Sequence, residues 1–100
     1  MKQSIVYYMK GESKWKVFET IGKPYALDIL ESLSKSPKRY SELSNICSID
    51  KTRTKRLKEL KKAKLIETIS KELDDRTFIY YKLSEKGKKI FNTLLQLHDA

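Results

Sequence analysis

From Trp15 to Leu60 the apolar residues recur at intervals of three or four; beyond Leu65 they alternate, and helical spacing returns near Ile90. Trp15, Phe18 and Ile21 mark one predicted helix, with Ser13 placed to cap it. Gly22 closes that helix and Pro24 opens the next, because glycine suits a helix exit and proline a first turn. The second helix is predicted from Pro24 to Ser34, with Ala26, Leu27, Ile29, Leu30 and Leu33 on a broad inward stripe, and Ser36-Pro37 ends it. Tyr40-Ser41-Glu42-Leu43 offers a hydroxyl cap and a first-turn acid, which predicts a third helix of about seven residues ending near Cys47. Its inward residues are Leu43, Ile46 and Cys47.

Ser48-Ile49-Asp50 makes a turn, and Asp50 is the expected cap of a fourth helix over residues 51–63, with Leu57 and Leu60 facing inward. The alternating stretches Leu65 to Ser70 and Thr77 to Leu83, joined by residues 71–76, predict a hairpin. Ser84 and Glu85 begin a last helix, where Ile90, Leu94 and Leu97 form one row and Phe91, Leu95 and His98 the next. That stripe is wider than a single small core covers, which calls for a partner helix. Ile5 to Met9 favours extended structure, as a strand or an arm. The fold class that follows is mainly α with a small β-hairpin.

Charge singles out one of these elements. Lys51, Arg53, Lys55, Arg56, Lys58, Lys61, Lys62 and Lys64 stand against one acid, Glu59, a balance of +7 in a chain whose total is +9. A concentrated cationic helix is the footprint of a polyanion partner. One hundred residues with 39% hydrophobic content fit one small domain that gains from burying more surface in an oligomer. A single cysteine, Cys47, excludes an intramolecular disulfide, and the chain has no cysteine or histidine pair at zinc-ligand spacing. We therefore expect a cytoplasmic protein with no metal and no cofactor. No apolar run is long enough to cross a bilayer, and the carboxylates are scattered singly, so neither membrane insertion nor catalysis has support.

The order helix, helix, turn, basic helix and hairpin is that of a winged helix-turn-helix, and the residues resemble the MarR-like and HxlR-like families of transcriptional regulators. Ile21-Gly22-Lys23-Pro24-Tyr25 followed by Ile29-Leu30 is similar to the entry to the first core helix of the HxlR type. Arg39-Tyr40-Ser41-Glu42-Leu43, Leu57-Lys58-Glu59-Leu60 and Leu65-Ile66 also resemble that family. Asp74-Asp75-Arg76 resembles the MarR wing tip, and Tyr81 to Gly87 the strand-to-helix junction of both. The interval from Ile49 to Leu57 is one residue shorter than the family's usual spacing, which leaves the base-reading register open by one position. No long helices flank the core, so the ligand pocket of full MarR proteins is not implied.

The resemblance implies a three-helix core plus wing at residues 23–84. Residues 1–22, the arm and short helix, and residues 85–100, the last helix, are expected to make the contacts of a homodimer. The expected partner is double-stranded DNA. With Leu57 and Leu60 inward, helical geometry turns Lys51, Thr52, Lys55, Lys58, Glu59 and Lys62 outward. Lys51, Thr52 and Lys55 are the candidates for base edges; Arg56, on the flank, is expected to reach guanine or a phosphate, and Arg53, close to the buried face, to reach the DNA only by snorkelling. Lys58, Lys61 and Lys62 are expected at phosphates or in solvent, and Arg39, Tyr40 and Ser41 where a helix crosses the DNA backbone.

Arg76 has two open readings, an arginine inserted in the minor groove or a hairpin residue paired with Asp74. Cys47 reads as a small buried hydrophobe in preference to a redox switch. The alternatives to a sequence-specific regulator are a protein-interaction module, using Phe78, Tyr80, Phe91 and Leu95, and a non-specific architectural DNA-binding protein.

Overall fold

Helix α1 (Lys16–Ile21) ends at Gly22, whose amide donates to the Phe18 carbonyl at 3.0 Å. The computed structural model describes residues 14–100, so the expected arm at Ile5 to Met9 and the Ser13 cap lie outside the described residues. After Gly22 the chain makes a turn in which the Ala26 amide donates to the Lys23 carbonyl at 3.1 Å and Tyr25 takes φ 70°. Proline second and a left-handed third residue is the pattern of a type II turn. Pro24 therefore belongs to the turn, and α2 (Ala26–Lys35) begins two residues later than expected. Ala26, Ile29, Leu30 and Leu33 are buried, but Leu27 lies roughly a quarter-turn off that stripe and is 43% exposed.

A short strand, β1 (Lys38–Arg39), stands where the sequence predicts none. The following segment is a six-residue 3-10 helix, η1 (Tyr40–Asn45), and not an α-helix capped by Ser41. Its entry is closed by Glu42, whose carboxylate accepts from the Arg39 amide at 2.7 Å. At its exit the Leu43 carbonyl accepts the amides of Ile46 and Cys47, both at 3.0 Å.

The basic helix is α3 (Asp50–Lys62), with Ile49 at the cap position. Asp50 is the first helical residue, and its side chain pairs with Arg53 instead of capping. At the far end Lys64 takes φ 63°, the Lys64 amide donates to Lys61 at 2.9 Å and the Leu65 amide to Leu60 at 3.0 Å. That pair of bonds is a Schellman closure, with lysine where glycine is the usual residue.

Strands β2 (Ile66–Leu73) and β3 (Arg76–Leu83) form the hairpin, each reaching closer to the tip than predicted. Leu73 pairs with Arg76, leaving Asp74 and Asp75 as a two-residue turn with φ 51° and 65°. Left-handed backbone at both positions is what a tight type I′ hairpin turn demands. β1 pairs antiparallel with β3, Lys38 opposite Tyr81 and Arg39 opposite Tyr80, so the sheet order is β1-β3-β2. Helix α4 (Glu85–Asp99) starts at Ser84, whose hydroxyl accepts from the Gly87 amide at 3.0 Å.

Ile29, Leu30, Leu43, Leu57, Leu60, Leu65, Ile66 and Leu83 form the core between the helices and the base of the wing. Ile90, Phe91 and Leu94 of α4 pack partly buried against it, whereas Leu95 and Leu97 are exposed. Helices plus a small antiparallel sheet make this a winged helix-turn-helix, with η1 and α3 as the helix pair and β2–β3 as the wing. Among the described residues no helix is long and apolar enough to cross a membrane.

Candidate nucleic-acid interface

Burying Leu57 and Leu60 leaves Lys51, Lys55, Lys58 and Lys62, spaced four, three and four residues apart, as an exposed row on α3. No acid among the described residues pairs with any of the four. Thr52 stands beside the row, half-buried. Because neighbouring charges raise one another's energy, such a row invites a polyanion that neutralises it.

The two arginines of α3 are placed differently from the expectation that they join this surface. Arg53 is 4% exposed. Its Nη1 donates to the Cys47 carbonyl at 2.6 Å, its Nη2 pairs with the Asp50 carboxylate, and the guanidinium carbon lies 4.4 Å from the centre of the Tyr40 ring. A side chain so enclosed cannot reach a base without unpacking. Its position four and seven residues before Leu57 and Leu60 is the sequence signal for this burial.

Arg56 donates from Nε to the Pro24 carbonyl at 2.8 Å and from Nη1 to Glu59 at 2.9 Å. Glu59, expected to face outward, has a side chain only 24% exposed, and its second oxygen accepts from Lys23 Nζ at 3.0 Å. Burial of that carboxyl raises its pKa, but the hydrogen bonds and charges of Lys23 and Arg56 outweigh the effect and hold it below its ordinary value. Arg56 thus ties α3 to the turn that begins α2. Lys23 and Pro24, which the sequence did not mark as functional, belong to this support.

Around η1, Tyr40 is half-buried; its hydroxyl lies 3.1 Å from the Asp50 carbonyl and 2.6 Å from Thr54 Oγ1. The tyrosine expected at the DNA backbone is thereby a brace between η1 and α3. The Arg39 guanidinium lies 5.1 Å over the Phe78 ring and its side chain is 42% exposed, while Ser41 is exposed at the start of η1. At the wing, Arg76 is exposed and makes no ion pair with a described residue, Asp74 and Asp75 included.

Phe78 and Tyr80 do not present an open apolar surface: both are half-buried, Arg39 covers one ring and Lys71 Nζ lies 5.1 Å over the other. Cys47 is fully buried, its thiol 3.7 Å from the Ile49 carbonyl. Among the described residues no group of His, Cys, Asp or Glu is arranged to hold a metal ion.

The fold has counterparts among solved structures. The reduced form of the transcriptional regulator YodB from B. subtilis superposes with a TM-score of 0.73 at 25% identity, over 83% of this chain and 82% of that one. A MarR-family structure from Enterococcus faecalis V583 gives 0.73 at 24% identity, over 88% and 84%. The transcriptional repressor BigR from Xylella fastidiosa gives 0.69 at 19% identity, over 97% and 92%. The latter two likenesses show the fold alone. No curated protein sequence matches the chain. The model of the HxlR-like helix-turn-helix family matches residues 20–100, from the end of α1 through α4, and the chain belongs to that family.

Proposed function

We propose that this DNA-binding transcriptional regulator docks the N-terminal half of α3 in the major groove, with Lys51, Thr52 and Lys55 at base edges and Lys58 and Lys62 at phosphates. The row of cations without acidic partners carries this reading. The major groove is wide enough for a helix and displays acceptors such as guanine O6 and N7 to a lysine. Arg53 and Arg56 take no direct part, because their guanidinium groups are engaged inside the protein. Arg39 and Ser41, both accessible at the entry to η1, meet the DNA backbone. Arg76, at the tip of an otherwise acidic turn, enters the minor groove.

The regulator acts as a cytoplasmic homodimer. Residues 23–84 form the DNA-binding core, and residues 1–22 and 85–100 supply the dimer contacts. Phe18, Leu95 and Leu97 support this reading, since apolar side chains 55%, 42% and 68% exposed on α1 and α4 gain by being covered. Selection of bound fragments from random duplex DNA, read beside sedimentation of the free protein, tests the whole. The expected result is a dimer and a symmetric consensus with half-sites about one helical turn apart. A pool that never converges on a sequence contradicts base reading, and a monomer with an asymmetric site contradicts the dimer.

A further inference from the structure

Position 53 lies on the inward stripe of α3, where an apolar side chain would fill the space with no charge to desolvate. The chain instead buries a guanidinium there, and its Nε has no hydrogen-bond partner. Stability alone does not account for that choice, because removing a charge from water opposes folding unless every polar atom is matched. Direction does account for it. Arg53 reaches backward to the Cys47 carbonyl, in the turn two residues beyond η1, and to the Asp50 carboxylate, at the start of α3. It also lies on the Tyr40 ring, and the Tyr40 hydroxyl returns to the Asp50 carbonyl and Thr54. Arg53 and Tyr40, stacked on each other, thus bracket the turn of the helix-turn-helix.

We infer that Arg53 is a positioning residue for sequence discrimination: without touching DNA, it fixes the angle and depth at which the first turns of α3 present Lys51, Thr52 and Lys55. This rests on reading α3 as the base-reading helix. Contacts to phosphates tolerate small rotations because long lysines follow a diffuse charge, whereas contacts to base edges depend on direction. An apolar side chain at position 53 would keep the core filled and let the helix rock. Nonspecific attraction would survive and discrimination would fall.

The test compares wild type, Arg53→Met and Arg53→Lys for thermal melting, and for affinity to a selected operator and to a random duplex of equal length. Arg53→Met is expected to melt at or above the wild-type temperature. Its operator-to-random ratio falls about tenfold, the loss of one base contact, while random-duplex affinity and salt dependence hold. Arg53→Lys, which keeps one directed donor, recovers part of the ratio. A folded Arg53→Met with the wild-type ratio overturns the inference and leaves the reading of α3 intact. Equal losses on both duplexes also overturn it, since they mark a phosphate contact or a general loss of folded protein. A wild-type protein with no preference for any sequence removes the reading of α3 and the inference with it. Should Arg53→Met fail to fold, Tyr40→Phe keeps the ring and removes only the hydroxyl links; a reduced ratio then supports the bracket and an unchanged ratio overturns it.

Discussion

Gly87 packs so closely on Leu65 that a Cβ at position 87 would overlap the Leu65 carbonyl oxygen and stand 3.0 Å from its carbonyl carbon. The same carbonyl accepts the Ser84 amide at 3.0 Å, and the Ser84 hydroxyl donates to the Lys64 carbonyl at 2.6 Å. The end of α3, the root of the wing and the start of α4 therefore meet at one point that only glycine fits. Gly87→Ala must push α4 away from the core, and we expect a loss of about 3 kcal/mol. A melting temperature lowered by about 10 °C or more would register it; an unchanged one would show that the junction yields freely.

Lys64 holds a left-handed conformation that disfavours any residue with a Cβ. Lys64→Gly relieves that strain inside the Schellman closure, for an expected gain of about 1 kcal/mol. Lys64→Ala removes the same charge and keeps the strain, so it should show no gain. Chemical denaturation of the two variants beside the wild type separates conformation from charge.

Much of this architecture is written locally in the chain. The stripes of α2 and α3, the hairpin and the Ser84 cap follow from spacing and turn chemistry, as does the row from Lys51 to Lys62. What escaped depends on partners distant in sequence. Lys38 and Arg39 form a strand only because Tyr81 and Tyr80 lie opposite them. Arg56 reads as a flanking cation free to reach DNA until the Pro24 carbonyl comes within reach. Arg53 was legible as inward by its spacing to Leu57, but the Cys47 carbonyl and Tyr40 ring that make its burial tolerable are set by the tertiary fold. Asp50 and Ser41, both sound cap residues, were displaced by competing bonds, Asp50 to Arg53 and the η1 entry to Glu42.

Glu59 gives the fold a pH signature. Its folded pKa lies below the ordinary value of 4.5, so its ion pairs stabilise the fold above that pH and the contribution fades as pH falls through the folded value. Glu59→Gln should accordingly be less stable than wild type near neutrality, and the gap should close in acid. Denaturation midpoints from pH 7 to pH 3 check this, and a gap that stays constant across the range would assign the loss to something other than the carboxylate.

Along the exposed row, position separates roles. Lys55→Ala should weaken operator binding by about 1 to 3 kcal/mol and random-duplex binding far less, as expected for a residue at a base edge. Lys58→Ala should weaken both alike and reduce the salt slope by about 1, as expected for one phosphate contact. Titrations at several salt concentrations distinguish the two patterns, and identical behaviour of the two variants would erase the proposed division of α3.

Whether the N-terminal half of α3 reads bases from the major groove is decided by a selected operator whose half-site purines are replaced by their 7-deaza analogues. That change deletes the N7 acceptor from the major groove and leaves Watson–Crick pairing and the minor-groove edge in place. Affinity for the 7-deaza operator is expected to fall toward that for random DNA, whereas inosine for guanine, which removes a minor-groove amino group, has little effect at those positions. Full affinity for the 7-deaza operator, with loss only on the inosine duplex, would exclude major-groove reading by α3.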